Sequence, residues 1–341
     1  MSQVSIKDVA RLAGVSIATV SRCLNDPERV REQTRARVAD AIRRTGYSPN
    51  TLAQSFRRGK TQVIMVVLPS VGDPFFTEVM QGIRSVAASR GYSLLISETQ
   101  FNTMTADEVG TMVVSRQADG IVLLASLSPF GTEVLSARSH RALPIVIGFE
   151  KVSTELTGFP SVHIDNVEAA REATNYLISL GHRRIAFIRG PHQTLLTRDR
   201  ELGFKAAMSD SGLIVRDDWL VDGELTLPGA AAATRSLLAY PQRPTAIFCA
   251  TDEMAMGCYQ ALNSAELAIP GDVSVVGFDD IRYAQALDPP LTTIRQPARE
   301  IGERVVLRLL AEIEQGRGSS QGTEVVPHRL VVRDSTAAPC G

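Results

Sequence analysis

Residues 16–25 place a particular set of side chains along one short stretch: Ser16, Ile17, Ala18, Thr19, Ser21, Arg22 and Asn25. These types can read a DNA major groove. Arginine pairs with guanine and asparagine with adenine, alanine and isoleucine touch the thymine methyl, and hydroxyls hold phosphates. A second set is spread over the rest of the chain. Asp73-Pro74-Phe75-Phe76, Phe149-Glu150, Asp165-Asn166, Thr251-Asp252 and Asp279-Asp280 each follow a run of apolar residues of strand length. Aromatic faces combined with carboxylates suit a sugar, because C–H faces stack on rings while hydroxyls donate to carboxylates. Two competing roles are plain: Asn166 and Asp252 also suit helix N-caps, and Phe75 and Phe76 also suit a core.

The first set needs helices to hold it. Ser5-Ile6-Lys7-Asp8 has capping-box spacing, with Ser5 placed to accept from a first-turn N–H. Ile6, Val9, Ala10 and Ala13 recur at helical spacing, and Gly14 supplies a left-handed stop. Ser16 can cap a second helix with Val20 and Leu24 inward. A third is expected over Thr34–Thr45, with Val38, Ala41 and Ile42 inward, closing at Gly46. Helix, short glycine-containing turn, helix is the helix-turn-helix arrangement. Charge agrees with it: residues 1–60 carry a net +7, whereas the remaining 281 carry −8. A basic module on an acidic body suits a polyanionic partner at one end. Residues 47–60 read as a connection, with Pro49 holding Ser48 extended and Asn50 as an N-cap. Thr51–Arg58 would make two helical turns, too short to persist alone.

The second set needs strand ends. Val63–Leu68, Ser93–Glu98, Gly120–Ala125 and Pro144–Phe149 read as buried strands, with helical stretches near Phe75–Ser89 and Thr105–Arg116. The alternation restarts at Val162–Asp165, Arg184–Arg189, Ala246–Ala250 and Val273–Phe278, with helices near Val167–Leu180, Arg198–Ser211, Ala230–Leu238 and Asp252–Asn263. Two such runs predict an α/β body of two lobes with parallel sheets and a ligand in the cleft at the strand carboxyl ends. Leu291–Ile294 and Leu330–Arg333 are expected to cross back. The resulting organisation is a helix-turn-helix domain over 1–49, a hinge over 50–60 and a two-lobed body over 61–341. Lobe 1 takes about 61–160 and 295–325, and lobe 2 about 161–294 and 326–341.

Several classes are disfavoured. No apolar run approaches the ~20 residues that span a bilayer, and residues 1–20 lack a secretory-signal pattern. The expectation is a cytoplasmic protein. Cys23, Cys249, Cys258 and Cys340 have neither metal-site spacing nor the density of a disulfide framework. The five histidines (His140, His163, His182, His192, His328) lack ligand spacing. Hydrolase, zincin and dinucleotide motifs are missing. No metal, no cofactor and no catalytic residue is expected. Two rival classes stay open: a sugar-binding protein of the periplasmic type without a regulatory role, and an α/β enzyme carrying an accessory DNA module.

These motifs resemble the LacI/GalR family of bacterial repressors. The likeness runs through Ser5-Ile6-Lys7-Asp8-Val9-Ala10, Gly14-Val15-Ser16, Thr19-Val20-Ser21-Arg22, Thr34-Arg35 and Gly46-Tyr47-Ser48-Pro49-Asn50. In the body it includes Asp73-Pro74-Phe75-Phe76, Gly181-His182-Arg183-Arg184-Ile185, Asp252-Glu253-Met254-Ala255, Gly277-Phe278-Asp279 and Leu291-Thr292-Thr293-Ile294. The resemblance implies a homodimer on a pseudo-palindromic operator in double-stranded DNA, controlled by a small-molecule effector and without a membrane. Thr34 and Tyr47 join the groove-reading set. Asn50, Ala53 and Phe56 come from a hinge helix in the minor groove, with Phe56 where the wedge is usually leucine. In the cleft it implies Phe75 and Phe76 stacking on the effector and Arg200 and Asp279 bonding it, with Asp73, Phe149, Asp165, Thr251 and Gln296 nearby. The implied effector is a nucleoside, with ribose or another sugar as the alternative.

Overall fold

The computed structural model describes residues 4–47, 61–99, 117–124, 144–149, 158–192, 194–316 and 322–340. Asn50, Ala53, Phe56 and the expected helix Thr105–Arg116 lie outside the described residues. The chain divides into two compact units, Met1–Thr61 and Gln62–Gly341.

The first unit holds α1 (Ile6–Ala13), α2 (Ile17–Asn25) and α3 (Glu32–Thr45). Ser5 starts α1, but Asp8 is the acceptor: the Ser5 N–H and hydroxyl both donate to its carboxylate, at 3.0 and 2.7 Å. Those bonds hold the half-buried Asp8 carboxyl below the usual carboxylate range. Gly14 and Gly46 end their helices at φ 62° and 65°, where a side chain would clash with the backbone. The Ser16 hydroxyl accepts the Thr19 N–H at 3.1 Å and caps α2. Helix α3 begins two residues before Thr34, so Thr34 lies in its first turn rather than at its start. Val9, Ala10, Ala13, Val20, Val38 and Ala41 form the core, with Leu24, Ile42 and Tyr47 packed against it. Arg37 donates to the Ala13 and Gly14 carbonyls and so ties α3 to the turn between α1 and α2.

In the second unit, β1 (Val63–Leu68), β2 (Ser93–Glu98), β3 (Gly120–Leu123), β4 (Ile145–Gly148) and β5 (Ser161–His163) belong to one sheet. Its sixth strand, β11 (Thr323–Val325), comes from far down the chain, and the order is β11-β5-β4-β3-β1-β2, all parallel. The second sheet contains β6 (Ile185–Arg189), β7 (Leu220–Asp222), β8 (Ala246–Cys249), β9 (Ser274–Asp279), β10 (Thr292–Arg295) and β12 (Arg329–Val331). Its order is β12-β10-β9-β8-β6-β7, and only β12 runs antiparallel to its neighbour.

One expectation is corrected here. Ser161–His163 does not open the second lobe; it pairs with β4 and β11 and completes the first sheet. Leu291–Ile294 and Leu330–Arg333 overlap β10 and β12, both in the second sheet, and the chain returns to that sheet at β12 after β11 of the first. The chain passes between the lobes after β5, between β10 and α9 (Ala298–Gln315), and between β11 and β12. Helix α9 packs on α4 (Pro74–Ser89) and on β3 and β4, so it belongs to the first lobe. In the second lobe, α5 (Asn166–Ser179) packs on α6 (Leu195–Asp210), and α7 (Leu227–Leu238) on α8 (Asp252–Ser264).

His182, in the family-like Gly181-His182 motif, holds the end of the chain to this second sheet. Its buried ring lies within 2.9 Å of the Thr245 hydroxyl at Nδ1 and of the Ala337 carbonyl at Nε2. Nε2 therefore carries the proton and donates, and Nδ1 accepts. Burial lowers the pKa, against the smaller opposing effect of the Ala337 carbonyl. A base with a lowered folded pKa supplies stability above its unfolded pKa, near 6.5, and loses it as pH falls below that value. The denaturation midpoint is expected to fall as pH drops from 7.5 to 5, and His182→Gln to flatten that fall. Parallel pH profiles for the two proteins would refute the assignment.

Candidate functional site

On α2, Ser16, Ile17, Ala18 and Arg22 are exposed, and Thr19 and Ser21 are half-buried. Ile17 leaves 45% of its surface in water and lies outside the core of its unit. Fixed by the Ser16 cap, this face offers a methyl-rich patch beside a guanidinium. Tyr47 differs: its ring packs against the core of the first unit.

The other candidates gather at strand carboxyl ends of the body. In the first lobe, the Asp73 carboxylate caps α4 by accepting the Phe75 N–H at 2.8 Å. That cap fixes Phe75 and Phe76 in the first turn. Phe149 directly follows β4 at φ 78°, a left-handed conformation that is unfavourable for a bulky residue. The three buried rings meet at centroid distances of 4.8–5.4 Å.

In the second lobe, Arg200 of α6 is fully buried. Its guanidinium lies 3.5 Å over the Phe278 ring, donates Nε–H to Asn166 Oδ1 at 3.0 Å and also donates to the Ala250 carbonyl. Asp279 Oδ1 stands 3.5 Å from Arg200 Nη2 and accepts from Gln296 Nε2 at 2.7 Å. Asp279 ends β9 at φ 116°, a second left-handed residue at a strand end. Burial pushes its carboxyl up to about 7; the Arg200 charge pulls it back, and Asp73 pushes it further. Asp73 is itself raised by burial, with the N–H groups of Phe75 and Phe76 and the Arg200 charge acting against that rise. Asp73 of one lobe thus feels Arg200 and Asp279 of the other. Gln296 is 4% exposed, and its Oε1 has no hydrogen-bond partner among the described residues.

Asp73, Phe75, Phe76, Phe149, Arg200, Asp279 and Gln296 are therefore brought to the facing strand ends of the two lobes. Asp165 and Thr251 do something else. Asp165 is exposed and caps α5, accepting from Val167 and Glu168 N–H at 3.1 and 3.0 Å, and Thr251 caps α8 through the Met254 N–H at 3.2 Å. The expected caps, Asn166 and Asp252, lie one residue inside their helices, buried. Asn166 orients Arg200. Asp252 accepts from the Thr293 hydroxyl at 2.6 Å and the Ile281 N–H at 2.8 Å, and burial raises its carboxyl far above the usual range. Sequence reasoning missed both roles, since a cap and its successor differ by one residue and both types cap well.

The neighbouring acids Asp279 and Asp280 face different partners: Asp280 accepts from Arg333 at 2.6 Å and from Arg295. A separate cavity of about 1050 Å³ beside α9 is lined by Arg295, Arg299, Arg304, Glu300, Glu303 and Glu324, among others, and Gln296 reaches it as well. Its charges are largely paired internally, for example Arg304 with Glu300 and Glu324.

Residues 5–50 match the family described as bacterial regulatory proteins, lacI family, and residues 174–336 match a periplasmic binding protein-like domain. The chain is 38% identical over 334 residues to the HTH-type transcriptional repressor CytR of Escherichia coli strain K12, covering 98% of this chain and 96% of that one. The chain belongs to the LacI family. The ribose operon repressor of the same strain is 35% identical over 324 residues, covering 95% of this chain and 97% of that protein. A crystal structure of the Lac repressor dimer bound to operator and the anti-inducer ONPF superposes with a TM-score of 0.86 at 27% identity, covering 99% of this chain and all of that one. This LacI-family member is a transcriptional repressor and not an enzyme. No helix among the described residues is long and apolar enough to cross a membrane.

Proposed function

We propose that this cytoplasmic repressor binds a pseudo-palindromic operator as a homodimer and that a nucleoside in the cleft between its lobes sets the strength of that binding. The Lac repressor dimer bound to operator, to which the chain is similar, supports the assembly. The convergence of Phe75, Phe76 and Phe149 with Arg200, Asp279 and Gln296 carries the effector reading. Rings offer faces to stack on, while Asp279 and Gln296 Oε1 offer acceptors for hydroxyls. Asp73 orients the rings, and Asp165 and Thr251 shape the cleft rim as caps of α5 and α8. The 35% identity to a ribose operon repressor favours ribose as a second reading. The effector can shift operator affinity only by as much as it prefers one lobe arrangement over the other, ordinarily about 1–3 kcal/mol.

The groove face comprises Ser16, Ile17, Ala18, Thr19, Ser21, Arg22 and Asn25 on or before α2, with Thr34 and Tyr47 beside them and Asn50, Ala53 and Phe56 contributing from the hinge. Arg22→Ala is expected to cost about 1–3 kcal/mol of specific binding while non-specific binding stays close to wild type. Gel shifts with the operator and with scrambled DNA check this, and unchanged discrimination would remove Arg22 from base reading. A thermal-shift screen against nucleosides, purines and pentoses, followed by operator binding with each hit, tests the effector reading. A nucleoside that raises the melting temperature and changes operator affinity is the expected result.

A further inference from the structure

Arg200 leaves none of its surface in water, so it acts through the groups bonded to it. Three hydrogen-bond partners of its guanidinium come from three segments of the second lobe. Asn166 is the first residue of α5, the Ala250 carbonyl directly follows β8, and Asp279 ends β9. The Phe278 ring covers one face of the guanidinium. A charge held away from water must keep its acceptors or be left uncompensated. A displacement of one partner is therefore passed on to the others.

Two of these bonds differ in firmness. The Nε–H reaches Asn166 Oδ1 at 3.0 Å, whereas Nη2 stands 3.5 Å from Asp279 Oδ1, beyond the usual hydrogen-bond range. That same carboxylate oxygen accepts from Gln296 Nε2 at 2.7 Å. The Asn166 amide has one possible orientation, because arginine offers only donors and the oxygen must face it. Asn166 also lies just beyond a change of lobe. His163 is the last residue of β5 in the first sheet, and α5 of the second lobe begins three residues later. Asp165 caps that helix, so Asn166 is not needed to start it.

We propose that Asn166 is the positioning residue that converts effector binding into the operator response. A ligand donor that engages Asp279 Oδ1 draws that oxygen from Arg200, and the guanidinium passes the shift through Nε to the segment joining β5 to α5. The proposal rests on the cleft being the effector site. Without the Asn166 oxygen, the effector still meets Asp279 and Gln296 but distinguishes less between the two lobe arrangements, and a response arises only from that difference. An Asn166 that merely satisfies a buried donor behaves otherwise. Its loss would loosen Arg200 and Asp279 together, and effector affinity and operator response would fall in parallel.

The test uses the full-length protein, with cytidine, adenosine and ribose as probes. Isothermal calorimetry gives probe affinity. Gel shifts with and without saturating probe, on a duplex that the wild type selects from a random pool, give the response. In the wild type the probe that binds should change operator affinity about fivefold or more. Asn166→Leu removes the acceptor at similar volume. It should shrink that change to about twofold or less while probe affinity falls by no more than about threefold. Asn166→Asp keeps an oxygen for the Arg200 Nε–H and should restore the response. Asn166→Ala leaves room for a water beside Nε and serves as the second variant should leucine fail to fold. Affinity and response that fall together overturn the proposal, as does a response that neither leucine nor alanine alters or that aspartate fails to restore; in each case the cleft remains an effector site. A wild-type protein that binds none of the three probes, or binds one with no change in operator affinity, overturns the effector reading of the cleft and the role of Asn166 with it.

Discussion

Asp279→Ala is expected to abolish the effector response while leaving operator binding at its effector-free level. The carboxylate accepts from Gln296 and stands beside Arg200, and the Asp73 charge of the other lobe acts on it. A ligand hydroxyl donating to an ionised carboxylate contributes about 1.5–3 kcal/mol, so losing it weakens binding roughly ten- to hundredfold. Operator gel shifts with and without the effector found in the thermal-shift screen read this directly. A normal response in the alanine variant would exclude Asp279 from the site.

The pH dependence has two opposite signs in the wild type. With its folded pKa raised to about 7, Asp279 stabilises the free protein in its neutral form. That contribution is complete below the unfolded pKa, near 3.9, and is lost as pH rises through about 7. Effector donors need the ionised form, so affinity should rise over the interval in which free-protein stability falls. Asp279→Asn should flatten both curves while keeping an acceptor for Gln296. Asparagine also tolerates the left-handed backbone better than alanine does.

The second large effect concerns packing. Gly302→Val should lower the stability of the body by about 3 kcal/mol or more. Helices α4 and α9 approach so closely that a Cβ on Gly302 would lie 2.1 Å from the Val79 carbonyl oxygen, and one on Gly82 2.1 Å from that of Arg299. Backbone on the facing helix cannot move aside as a flexible side chain can. Urea denaturation gives the measurement, with Glu303→Ala, half-buried and ion-paired with Arg299, as a control expected within about 1 kcal/mol. An unshifted midpoint for Gly302→Val would mean that the helices are not in contact there.

How much was legible in the sequence depended on whether a feature is local. Val63–Leu68 and Ser93–Glu98 were readable to the residue, because continuous apolar runs leave little choice of boundary. The turn at Gly14 and the Ser16 cap were legible for the same reason. The lobe assignment of Ser161–His163 was not, since a three-residue strand carries no mark of which sheet it joins. Helix α9 escaped notice, although Ile301, Val305, Leu309 and Glu312 follow helical spacing after Pro297. The residues at the facing strand ends were recognisable by type, yet which of them cap helices was not. Asp165 and Asn166 exchange roles over one residue, and only the position of Arg200 shows which one faces inward.

Gln296 occupies the passage from β10 to α9, one of three places where the backbone changes lobe. The other two lie together where the Val326 N–H donates to the His163 carbonyl at 2.8 Å. The amide that reaches Asp279 is therefore mounted on a connection between the lobes. On the proposed reading, a ligand that engages Asp279 acts directly on a residue where the backbone changes lobe.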